Sequence, residues 1–75
     1  MFFSKNLKFL RRNKKISQTE LGNQLNLTRD TIASLENGRM KPSIDTLIAI
    51  RNFFNINLDD LIFLELERVE IKWNI

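Results

Sequence analysis

The stretch SQTELGNQLNLTRDTIASLENG, residues 17–38, decides how this chain is read. Ser17 and Glu20 stand at capping-box spacing: the hydroxyl takes an amide three residues on, and the carboxylate reaches back to the serine amide. Leu21 and Leu25 follow on one face, so the spacing predicts a helix over Gln18–Gln24. Asn26 stands where that helix must stop, and asparagine tolerates the left-handed conformation a tight turn needs. Thr28 is a second N-cap, Ile32 and Leu35 point inward, and Asn37-Gly38 is a stop signal, giving a helix over Arg29–Asn37. Leu27 adds an apolar contact at the turn. Gly22 falls where the two helix backbones come closest and only a minimal side chain fits. Periodicity alone could arise in any pair of helices; a small residue, a turn residue and two caps at these positions together could hardly do so.

Working outward, Leu7 and Leu10 share a face within Ser4–Arg12, the first helix, and Asn13-Lys14-Lys15 breaks it. Pro42-Ser43 opens another helix, capped by Ser43 and carrying Ile44, Leu47, Ile48, Ile50 and Phe54. Asn57 or Leu58 starts a short fifth helix running through Leu61-Ile62. Beyond it, Val69, Ile71, Trp73 and Ile75 alternate with Glu70, Lys72 and Asn74. A period of two predicts a half-buried strand, whose partner would be Met1-Phe2-Phe3 or the tail of a second subunit.

Composition narrows the chemistry. A chain of 75 residues makes one domain, here spanning 1–75 with a tail at 63–75, and buries only about 60% of its unfolded surface. Apolar residues form 43% of it, six of them Phe. There is no Cys, hence no disulfide or thiolate metal site, and no His, which removes the commonest general base. No apolar run nears the roughly 20 residues of a membrane span, so a cytoplasmic location without membrane contact is expected. The net charge of +3 is split: residues 1–41 hold nine basic and three acidic side chains, residues 42–75 three basic and six acidic. That asymmetry suits a polyanion facing the first half, and it equally suits ordinary solvated helix faces.

The runs Leu7-Lys8-Phe9-Leu10-Arg11, Ile16-Ser17-Gln18-Thr19-Glu20-Leu21 and Ile32-Ala33-Ser34-Leu35-Glu36-Asn37-Gly38-Arg39, followed by Pro42-Ser43, resemble the Cro/C1-type (XRE) helix-turn-helix family across residues 5–62. The resemblance implies an all-α, five-helix, lambda-repressor-like DNA-binding domain, here with a short C-terminal β-strand added. Its third helix would enter the major groove. Carried onto matching positions, it makes Thr28, Arg29, Asp30 and Ser34 base-reading residues, flanked by Ala33. Arg29 is the foremost reader, since its fork fits a guanine edge. Asp30 would accept from a cytosine amino group or else steady Arg29. Gln18, Asn37, Arg39 and Lys41 would hold phosphates. Arg11 and Glu36 would form a structural salt bridge between the first and third helices. Arg51 and Phe53 stand where similar proteins carry small residues. Phe53 is therefore either an exposed contact for a second subunit or part of the local core.

These features imply a bacterial or phage-encoded transcriptional regulator, a repressor binding a palindromic operator in double-stranded DNA as a homodimer and associated with the nucleoid. Phe53, Val69, Ile71, Trp73 and Ile75 would make the dimer. An antitoxin or anti-repressor, using the same fold to hold a partner protein, is the alternative. An enzyme is not expected, because His, Cys and any Gly-rich phosphate loop are missing. No cofactor, metal or small-molecule ligand is implied.

Overall fold

Phe3, Asn6, Leu7 and Leu10 recur at the spacing that lines one face of a helix, and that face is buried in α1 (Phe3–Asn13). The computed structural model describes residues 1–69. α1 ends where Lys15 turns left-handed, with φ 60°, and its amide returns to the Arg12 carbonyl at 3.0 Å. α2 (Gln18–Leu25), α3 (Arg29–Glu36), α4 (Ile44–Phe54), α5 (Leu58–Phe63) and a 3-10 turn (Leu66–Val69) follow. Each expected helix is present, with ends shifted by at most one or two residues. Ser17, Thr28, Ser43 and Asn57 cap α2 to α5 through their side chains. Asn26 and Asn55 end α2 and α4 in the left-handed conformation.

α1 packs on α3 and α5, while α2 packs on α3 and α4. Leu7, Leu21, Ile32, Leu35, Ile50 and Leu61 meet in the interior without solvent contact. α4 is less inward than its composition suggests. Ile50 is buried, whereas Ile44 is largely exposed. Among the described residues, no helix is long and apolar enough to cross a membrane.

Among the described residues there is no strand. Val69, the expected first residue of the C-terminal strand, lies in the 3-10 turn, and Glu70 to Ile75 lie outside the described residues. Leu66 is fully buried and Leu64 and Val69 pack against the core, so this segment curls onto α1 instead of extending. Met1-Phe2-Phe3 forms no strand either. Phe3 begins α1, and the Phe2 amide donates to the Ile62 carbonyl at 2.8 Å.

The sequence reading passed over Asn6, which holds this end of the molecule together. Its side chain is buried. Nδ2 donates to the carbonyls of Leu61 at 2.7 Å and Leu64 at 2.6 Å, and Oδ1 accepts from the Leu66 amide at 3.1 Å. A six-residue helix such as α5 cannot sustain itself, and Asn6 satisfies the backbone groups at its C-terminal end. Asn6→Ala would orphan those groups, at about 1–3 kcal/mol for each buried one left unmade. The urea midpoint should fall sharply, and an unchanged midpoint would refute the role.

Gly22 is a site of close approach. A Cβ built there would lie 2.5 Å from the Leu27 carbonyl oxygen, and backbone cannot swing aside. Gly22→Ala would improve the propensity of an isolated helix, yet the clash should destabilise the domain by about 1–3 kcal/mol. Thermal unfolding decides the sign.

Candidate DNA-binding surface

The N-terminus of α2 is built by the expected reciprocal cap. Ser17 Oγ accepts from the Glu20 amide at 3.0 Å, and the Ser17 amide donates to Glu20 Oε1 at 2.8 Å. The opening amides of a helix have no intrahelical acceptor, and the helix dipole favours an anion beside them. Gln18 is the first residue of this helix and is half-buried. Its side chain turns inward: Nε2 donates to Glu36 Oε1 at 3.1 Å.

Glu36 is held more firmly from the other side. Arg11 Nε reaches Glu36 Oε2 at 2.6 Å and Arg11 Nη2 reaches Oε1 at 3.1 Å, a two-point contact. The Glu36 side chain is only 3% exposed and that of Arg11 13%. Arg11 Nη1 also donates to the Ile16 carbonyl at 2.9 Å. One guanidinium thus joins α1, the loop before α2, and the end of α3.

α3 presents its opposite face. Thr28 Oγ1 accepts from the Thr31 amide at 3.1 Å, so its hydroxyl is engaged as a cap. Helical spacing places Asp30, Ala33 and Ser34 away from the buried Ile32 and Leu35. Arg29 and Asp30 lean together at 3.5 Å with side chains 61% and 92% exposed, a loose pair worth little in water. Past the helix, Asn37 Oδ1 accepts from the Arg39 amide at 3.1 Å and the Ser34 carbonyl accepts from the same amide at 3.0 Å. These bonds shape the turn that carries Arg39 and Lys41, both exposed. Gln18, Thr28, Arg29, Asp30, Ser34, Asn37, Arg39 and Lys41 therefore lie on α2, α3 and the turn after α3, within one contiguous stretch.

A family model described as a helix-turn-helix domain matches residues 4–67. This chain belongs to the XRE-type helix-turn-helix family. It is 38% identical over 60 residues to an uncharacterized HTH-type transcriptional regulator, YqaE, of Bacillus subtilis, covering 80% of this chain and 52% of that protein. It is 36% identical over 64 residues to the ImmF control region 10 kDa protein of Bacillus phage phi105, covering 85% of this chain and 71% of the relative. The chain spans about half the length of YqaE and 30% of a further relative, the transcriptional activator BcrR of Enterococcus faecalis. In fold it matches the P22 c2 repressor, solved in complex with synthetic operator 9T. The TM-score is 0.80 at 20% identity, over 87% of this chain and 98% of that one.

Within the helix-turn-helix domain, Phe53 keeps only part of its surface exposed. It is half-buried against the core, its ring 4.9 Å from that of Phe54 in an edge-to-face arrangement. Lys14 Nζ lies 5.4 Å above it, so Lys14 is partly spoken for as well. The larger side chain is absorbed by stacking with its neighbour. Ile71, Trp73 and Ile75, the remaining expected dimer contacts, lie outside the described residues. The bond from Gln18 to Glu36 had no sequence signal, since the two residues are 18 positions apart.

The cap on α2 makes a pH prediction. The Ser17 amide, and secondarily its hydroxyl, hold the Glu20 carboxyl below its ordinary value of 4.5. A depressed carboxyl contributes stability that is present above its unfolded value and lost as pH falls through its folded one. Stability should therefore decline below pH 4.5, and Glu20→Gln, which keeps the acceptor but not the titration, should flatten part of that decline. Urea midpoints across the acid range test this; an identical slope in the variant would count against it.

Proposed function

We propose that this chain is a sequence-specific DNA-binding transcriptional regulator, a repressor that meets a palindromic operator as a homodimer, with α3 in the major groove. The observation that carries the reading is the outward face of α3, braced from behind by Arg11 and Glu36 and capped at its entry by Thr28. Arg29, exposed and held only loosely by Asp30, is free to offer its fork to a guanine. Asp30 and Ser34 complete the base-reading set, with Thr28 at its edge. Gln18, Asn37, Arg39 and Lys41 hold phosphates on either side. The regulators among the relatives and the operator complex of the P22 c2 repressor support the same class.

A two-fold dimer would set its α3 helices about 34 Å apart, one turn of duplex. Selection from random duplexes should then return a palindrome, and sedimentation of the complex should give two chains per site. A consensus without symmetry would remove the homodimer. On the selected duplex, affinity should fall steeply with salt. Arg29→Ala should lose about 1–3 kcal/mol and relax preference at one base position, while Lys41→Ala weakens all sequences alike and lowers the salt slope. If neither substitution alters binding, α3 does not read DNA.

A further inference from the structure

The carboxylate of Glu36 has more donors than a salt bridge needs. Arg11 supplies two, and Gln18 adds a third on Oε1. A carboxylate only accepts hydrogen bonds, so the Gln18 carboxamide must face it with its nitrogen, and its carbonyl oxygen must point elsewhere. A phosphate also only accepts. The Gln18 side chain can therefore meet one solely through the second hydrogen of the same Nε2, which diverges from the first by the geometry of a planar amide.

We propose that Glu36 is a positioning residue for DNA: it fixes the Gln18 carboxamide as a bridge between the buried carboxylate and a backbone phosphate at the start of α2. This rests on the reading of Gln18 as a phosphate contact. Three features favour it. Glu36 is almost wholly buried and itself clamped at two points, so it is a rigid reference rather than a mobile partner. Its charge is matched by the Arg11 guanidinium, which keeps a buried anion near the α2 N-terminus from repelling phosphate. Arg11 also binds the Ile16 carbonyl, so the residues on both sides of the Ser17 cap are tied to one ion pair. Holding a glutamine in advance removes rotamer freedom that binding would otherwise have to remove.

The ion pair behind α3 and the phosphate grip on α2 are then one unit, which a double-substitution cycle on the selected duplex can separate. With Glu36 intact, Gln18→Ala should weaken affinity about tenfold, the scale of one hydrogen bond to a charged group. In a Glu36→Gln background the same change should cost less than half of that factor, because the substituted side chain keeps a single acceptor oxygen, which Arg11 also claims, and carries a donor in place of the other. Equal losses in both backgrounds overturn the positioning role alone. No loss in either overturns it together with the reading of the Gln18 side chain as a phosphate contact. Amide exchange in DNA-free protein guards against a Glu36→Gln chain that does not fold. One Gln18 Nε2 proton should be protected relative to those of the exposed Gln24, and equal exchange of the two residues would refute the bridge.

Discussion

The contact between Gly22 and the Leu27 carbonyl sets the separation of α2 and α3, and the functional face follows from that separation. With the backbones this close, Leu21, Ile32 and Leu35 share one interior. Asn26, left-handed between them, turns the chain sharply enough for both helices to begin at exposed caps. A wider separation would rotate Asp30 and Ser34 relative to Gln18, and no adjustment of their own side chains would restore the relation.

Behind that pair, α1 serves as a brace. Its buried stripe covers α3 and α5, while Arg11 at its far end reaches Glu36 and Ile16. An ion pair of this kind is weak evidence for net stability, since desolvation offsets most of its attraction. Its value is geometric. Two-point contact fixes direction as well as distance, and it does so at the one place where the first helix, the loop before α2 and the end of α3 converge.

Local signals were legible in the sequence; distant ones were legible only where chemistry is selective. Ser17, Glu20, Asn26, Thr28, Ser43 and Asn57 each act through backbone groups two to five residues away, and each stands where its residue type predicts. Gly22 was readable because its smallness has few other uses within a helix. Arg11 and Glu36 came from the resemblance, because two charges 25 positions apart carry no pairing signal of their own. Asn6 was missed although it interrupts an apolar stripe, as its partners are backbone groups more than 50 positions on. At the start of the tail, Val69 departs from the expected strand for a further reason. Alternation over a few residues takes no account of the burial of Leu66, and that burial curls the chain at least as far as Val69.

The bonds of Asn6 also have a consequence in time. Their partners span residues 61 to 66, so a chain emerging in sequence order holds the complete α2–α3 unit well before it holds the groups that Asn6 requires. Contacts between distant segments close late because their loop entropy must first be overcome. During synthesis, α1 therefore carries a buried-to-be amide whose acceptors do not yet exist. The α2–α3 pair is present, with the first helix still unlatched behind it. Emergence of residues 61–66 from the ribosome turns a pair of local helices into a cooperative domain.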